Sequence, residues 1–191
     1  MQLVFASNNR HKIDEIQNLL PSSIQILSLK DIGCLEEIPE TADTIEGNAI
    51  LKANYVTEKY GYNCFADDSG LEIEYLNGAP GVYSARYAGL QKNDQDNIDK
   101  VLSELQDVSN RNARFKTVIA LNLNKEQHLY TGIIEGTIIS SQKGTKGFGY
   151  DPIFQPNNYN ITFAEMEQKE KSAISHRGQA VAQLLSFLSQ I

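Results

Sequence analysis

Cysteine is scarce in this 191-residue chain, with only Cys34 and Cys64 present. Two thiols cannot build a disulfide framework and show no metal-ligand spacing. They read as free thiols in a reducing compartment. Long apolar runs are missing too, since none approaches the ~20 residues a membrane-spanning helix needs. The opening MQLVFASNNRHK puts its apolar part before its positive charges, the reverse of a secretory signal. A cytoplasmic location and no membrane partner are therefore expected. Positive charge is also in deficit. A formal net charge of −7 does not suit the broad basic surface on which polyanions bind, so no nucleic-acid polymer is expected as a partner. A small anion needs only a local cluster of cations and is not excluded. No G-x-x-x-x-G-K-[ST] stretch occurs, which removes the P-loop. The single D-S-G triplet has no second copy to share a proton with, and the chain reads as too helical for an aspartic protease.

What is present suits a soluble globule. A chain of this length buries roughly 70% of its extended-chain surface without needing a staple, and one domain over 1–191 is expected. QLVF reads as a short strand, followed by polar SNN and a helix carrying Ile13, Ile16, Leu19 and Leu20, closed by Pro21. IQIL is a second strand. Asp43 with Glu46 resembles a capping box opening a helix to about Tyr60, stopped by Gly61. The run NCFA reads as a strand ending at Asp67 and Asp68, and LEIEYL as another. A long glycine-containing loop, NGAPGVYSARYAG, precedes a helix over about 94–105. ARFKTVIALNLN and HLYTGIIEGTIIS form a hairpin turning at 124–127. The tail from about Phe163 reads as helical, with Ser175 as a cap and Val181, Leu184, Leu185 and Leu188 on one face. Strands mixed with helices around a long hairpin predict an α/β fold with a mixed sheet.

Several polar segments carry chemistry. SNNRHK lies between a strand and a helix N-terminus, where free N–H groups and the helix dipole attract anions. Lys12, one turn in, could reach a phosphate, although Ser and Asn also cap helices in their own right. Glu40, Asp67 and Asp68 supply the hard oxygens that Mg²⁺ takes alongside phosphates and water. A carboxylate beside such an ion could deprotonate water, but Asp, Ser and Gly are also ordinary turn residues. In GFGYDP, Phe148 stands between two glycines and could stack on a base. His176 and Arg177 could donate to a carbonyl oxygen, or be a solvated pair at a helix start, where cations oppose the dipole.

Taken together and in order, SNNRHKIDEI, ETADTIEGNAILKA, FADDSGLEIEYLNGAPGVYSARYAG, GTKGFGYDPIF and EKSAISHRGQA strongly resemble the inosine triphosphate pyrophosphatase family. The resemblance spans nearly the whole chain. It implies an elongated mixed sheet flanked by helices, in two lobes with the active site in the cleft between them, and usually a homodimer. It also implies Mg²⁺-dependent hydrolysis of inosine, deoxyinosine and xanthosine triphosphates to monophosphate and pyrophosphate. By that resemblance Ser7, Asn8, Asn9, Arg10, His11 and Lys12 bind the phosphates, with Asn8 standing where the family often has Gly. Glu40 and Asp68 hold the metal, Asp68 is the catalytic proton acceptor, and Ser69 contacts substrate. Phe148, Gly149, Tyr150 and Asp151 form the base loop, and Lys171, His176 and Arg177 complete the substrate contacts. Two other readings stay open. A nucleotide sensor without hydrolysis would lack one of the carboxylates, and an enzyme for modified pyrimidines would have a disrupted SHR segment or GFGYDP loop. All of these are intact here.

Overall fold

The computed structural model describes residues 1–190; Ile191, the last residue of the expected domain, lies outside them. Six strands form a mixed sheet in the order β2-β1-β3-β4-β5-β6. Its elements are β1 (Gln2–Phe5), α1 (Arg10–Gln17), β2 (Gln25–Leu27), α2 (Ile45–Tyr60), β3 (Cys64–Ile73), α3 (Asp94–Glu104), β4 (Asn112–Leu123), β5 (Glu126–Ile138), β6 (Phe154–Pro156), α4 (Gln168–Ile174) and α5 (His176–Leu188). β1 runs parallel to both β2 and β3, whereas β5 and β6 are antiparallel. The mixed sheet and flanking helices agree with the expected fold class. No helix among the described residues is long and apolar enough to cross a membrane.

The chain divides into two compact units. The first comprises Met1–Asp68, Thr117–Gly132 and the residues from Arg177 onward; the second comprises Ser69–Lys116 and Ile133–His176. In the first, Leu3, Phe5, Phe65, Ile119 and Leu121 pack with Ile16 of α1 and with Val181 and Leu184 of α5. The β1–β3 register sets Phe5 opposite Phe65, and their rings stack at 4.7 Å. In the second, Leu71, Ile98, Val101, Phe115, Phe154 and Phe163 form a separate core, with Phe115 meeting Phe154 edge-on at 4.6 Å. Each such ring contributes about 1.5–3 kcal/mol by leaving water.

Turn chemistry follows the residues. Asn124 and Lys125 both take positive φ, 52° and 72°, as a two-residue hairpin link requires. Gly61 closes α2 in the left-handed region at φ 75°, where a side chain is disfavoured.

Four expectations need correction. FADDSG is not a turn, because β3 runs unbroken through it; the charges of Asp67 and Asp68 are met by cations on either side, described below, so the strand need not end there. The N-cap of α2 is Thr44, whose Oγ1 accepts the Gly47 N–H at 3.0 Å, rather than Asp43. The third helical position is thus Gly47, and Glu46 cannot close a capping box. The tail is not one helix from Phe163, since 163–166 forms turns and Ser175, at ψ 156°, separates α4 from α5. Finally, His176 and Arg177 are not a solvated pair but are only 4% and 2% exposed.

Candidate active site

Asp67 and Asp68 are neighbours on a strand, and successive strand side chains point to opposite faces. The two carboxylates therefore meet different partners. Asp67, fully buried, faces Lys12 and Arg177: its Oδ2 lies 3.1 Å from Lys12 Nζ and 3.4 Å from Arg177 Nε. Arg177 Nη1 also donates to Glu15 of α1. Asp68 faces α2, where Asn48 Nδ2 donates to its Oδ2 at 3.3 Å and Lys52 Nζ stands 3.7 Å from its Oδ1. Asn48 and Lys52 are one helical turn apart and so share a face. Lys52 Nζ also donates to Glu40 at 2.5 Å, so one ammonium faces both carboxylates expected to hold metal.

Burial and charge set the proton affinities here. Burial would raise the Asp67 carboxyl, but Lys12, Arg177 and Lys52 together outweigh it and hold it well below the usual range. Burial pushes the Asp68 carboxyl up, helped by the negative charges of Glu40 and Asp67 and opposed by Lys52 and Lys12. Asp68 is thus the carboxylate that takes a proton more readily. Burial lowers the Lys12 ammonium despite Asp67. For Lys52, burial is overcome by Asp68, Glu40 and Asp67, and its pKa rises.

SNNRHK divides by role. Asn9 caps α1 by accepting the Lys12 N–H at 3.2 Å, and Ser7 Oγ accepts the Asn9 N–H. Asn8, Asn9, Arg10 and His11 lie at the surface, and Lys12 pairs with Asp67. Asn8 is not among the positive-φ residues, so an Asn in place of Gly needs no left-handed backbone there.

A second polar cluster lies in the other unit. Gly147 has φ 75°, and a Cβ on it would stand 2.0 Å from Asp151 Oδ2, so only glycine fits against that carboxylate. Asp151 Oδ2 accepts the Phe148 N–H at 2.9 Å and pairs with Lys171 Nζ at 2.7 Å. Lys171 Nζ in turn lies 5.1 Å over the Phe148 ring, within cation–π range. Gly149 N–H donates to Asp94 Oδ2, and Tyr150 Oη to the Ser84 carbonyl. The His176 ring stacks on Phe115 at 4.7 Å. Ser69, half-buried, begins this unit.

The first cluster thus brings together Lys12, Glu40, Asp67, Asp68 and Arg177, and the second Phe148, Gly149, Tyr150, Asp151, Lys171 and His176. Sequence reasoning did not single out Glu15, Asn48, Lys52 or Asp94. The polar pair Asn48 and Lys52 at helical spacing was a readable signal; Glu15 and Asp94 had none, because their partners lie far along the chain.

The donor set fits a hard divalent cation. Among the described residues no three His, Cys, Asp or Glu side chains converge as a metal site, and Glu40 and Asp68 make a pair. Mg²⁺ commonly takes one or two carboxylates and completes its shell with water and substrate phosphate. The two carboxylates already share a cation, the Lys52 ammonium.

Fold and site together define a mixed-sheet α/β protein with opposed charges buried around β3. The chain belongs to the Ham1 family, whose profile matches residues 3–187. It is 68% identical over 187 residues to the dITP/XTP pyrophosphatase of Flavobacterium psychrophilum, covering 98% of both chains. It is 63% identical over 189 residues to the enzyme of the same name from Flavobacterium johnsoniae, covering 99% of this chain and 98% of that one. A HAM1 protein from Coxiella burnetii, of solved structure, superposes with a TM-score of 0.93 at 42% identity, with both chains fully covered.

Proposed function

We propose that this protein hydrolyses non-standard purine nucleoside triphosphates, namely inosine, deoxyinosine and xanthosine triphosphates, to the monophosphate and pyrophosphate. Such an activity cleanses the nucleotide pool before these bases enter DNA or RNA. The observation that carries the reading is the cluster around Asp67 and Asp68, where Lys12, Lys52 and Arg177 meet two carboxylates of opposite proton affinity. Relatives named dITP/XTP pyrophosphatase at more than 60% identity support it.

In this reading the segment from Ser7 to Lys12 receives the phosphates at the start of α1, with the Lys12 ammonium as its cation. The Ser7 and Asn9 N–H groups stay on the Phe5 carbonyl and Ser7 Oγ, and Lys52 adds a second cation near the phosphates. Glu40 and Asp68 hold Mg²⁺, which when bound offsets the phosphate charge that repels a nucleophile. Asp68 accepts a proton from water as the water oxygen bonds to the α-phosphorus. The bond from that phosphorus to the bridging oxygen breaks, and pyrophosphate leaves. Asp67 acts through Lys12 and Arg177, which it orients. Ser69 contacts the substrate. Phe148 stacks on the base, with Asp151 and Lys171 bracing its loop beside Gly149 and Tyr150. His176 and Arg177 donate to the oxygen at C6 of hypoxanthine or xanthine, where adenine carries an amino group; a buried donor facing a donor is strongly rejected. Guanine, which shares that oxygen, is excluded by contacts around C2. We extend the reading to a cytoplasmic homodimer on the family resemblance.

The test is a product assay with inosine, xanthosine, adenosine and guanosine triphosphates, each with and without Mg²⁺. Inosine monophosphate plus pyrophosphate, formed only with Mg²⁺ and far faster than from the adenine and guanine nucleotides, is expected. Diphosphate plus phosphate would overturn the choice of bond, and equal rates on all four the choice of base.

A further inference from the structure

Residues 28–44, between β2 and α2, hold little regular structure beyond a 3₁₀ turn at Lys30–Ile32, yet they deliver Glu40 to Lys52. This strap is fastened to the first unit at several points. Leu29, Cys34 and Ile38 are buried. The Ala42 N–H donates to Asn48 Oδ1 at 2.9 Å. A Cβ on Gly47 would stand 2.7 Å from Ala42 Cβ, so glycine lets the strap lie directly against α2. Between Cys34 and Ile38 the chain swings outward, and Leu35 is 82% exposed.

At this outward bend Glu36 is gripped by α2. One oxygen, Oε1, accepts from Lys59 Nζ at 2.6 Å, Tyr60 Oη at 2.7 Å and Tyr55 Oη at 2.7 Å. Lys59 Nζ also lies 5.1 and 5.6 Å over the rings of Tyr55 and Tyr60. The Lys59 ammonium and the two phenols hold the Glu36 carboxyl well below the usual carboxylate range, so it is charged at neutral pH. An exposed ion pair does little for stability by itself. Three donors from one helix converging on one oxygen instead fix a position.

The helix that supplies this clamp also supplies Asn48 and Lys52, so the strap is tied to one rigid element on both sides of Ile38. We propose that Glu36 is a positioning residue: its clamp on α2 holds the strap where Glu40 stands beside Asp68, and thereby sets the divalent-cation affinity of that carboxylate pair. The inference rests on the reading of Glu40 and Asp68 as metal ligands. Without the clamp, Glu40 must be ordered each time an ion binds, and preorganisation is lost. Partners that orient metal ligands typically carry 10- to 100-fold in affinity.

The experiment uses the full chain, without nucleotide, and Mn²⁺ as the probe, with free Mn²⁺ followed by electron paramagnetic resonance. Glu36→Ala is expected to weaken Mn²⁺ binding about tenfold, and Glu36→Gln less, since its amide oxygen still accepts from both tyrosines. Amides over 34–43 exchange hydrogen faster in the Ala variant, while those of β1 and β3 do not change. If Glu36→Ala does not fold, Tyr55→Phe combined with Tyr60→Phe removes two donors and is expected to weaken Mn²⁺ binding in the same direction. Unchanged Mn²⁺ affinity in the folded variants overturns the inference even if exchange quickens, because the clamp is then only a local tether. A wild-type chain that binds no Mn²⁺ overturns it too. A wild type that binds Mn²⁺, loses it in Glu36→Ala and yet hydrolyses no nucleoside triphosphate supports the clamp while the proposed function falls.

Discussion

Two adjacent aspartates divide the labour because a strand turns them to opposite faces. Asp67 is a buried counter-charge, held ionised by Lys12, Arg177 and Lys52. Removing one member of a buried charge group strands the others, at about 3–5 kcal/mol. Asp67→Asn is therefore expected to lose about 3 kcal/mol in urea unfolding. The sign of its pH dependence follows from a folded-state pKa depressed below the ordinary 3.8. The contribution is fully present above that ordinary value and disappears as pH falls through the lower, folded one. The stability gap between wild type and variant should hold constant from about pH 8 to about pH 5 and shrink only in strong acid; a gap that closed near neutrality would remove Asp67 from this role. Asp68, whose carboxyl burial raises, is the one suited to receive a proton. Asp68→Asn should slow turnover by about 10²–10⁴-fold with nucleotide binding largely kept, as steady-state rates and equilibrium binding together would show.

At the scale of elements, glycines and caps set where side chains arrive. The loop at 147–149 works only with glycine at 147, because a Cβ there would collide with Asp151. Gly147→Ala adds left-handed strain of about 1–2 kcal/mol and displaces the carboxylate that braces Phe148 and Lys171. Its expected signature is a higher KM for inosine triphosphate with little change in kcat; an unchanged KM would separate this loop from the substrate. The elements themselves were largely legible. The apolar spacing of Ile13 and Ile16 marked α1, and the Gly61 stop marked α2. The missed features share one cause: short-range patterns do not report partners distant in sequence. Asp, Ser and Gly at 67–70 favour a turn locally, but Lys12, Lys52 and Arg177 neutralise the aspartates and let β3 continue. His176 and Arg177 likewise look solvent-exposed by charge alone, and are buried because Phe115, Asp67 and Glu15 receive them.

On the scale of the whole molecule, the proposed reaction requires a divalent ion because Glu40 and Asp68 are themselves anionic and repel a triphosphate until a cation stands between them. Chelation with EDTA is expected to abolish hydrolysis of inosine triphosphate and excess Mg²⁺ to restore it, followed by pyrophosphate release; undiminished hydrolysis in EDTA would remove the metal from the scheme. The sequence by itself determined the α/β class, the family and most of the candidate residues, because apolar periodicity and the five ordered motifs are properties of neighbouring residues. Only the tertiary structure decided which charges pair. It set Asp67 against Lys12 and Arg177, set Asp68 and Glu40 around Lys52, and tied Glu36 to α2. Those contacts join residues from 12 to 110 positions apart, and the energy of bringing charges together depends on distance and burial in space rather than on order along the chain.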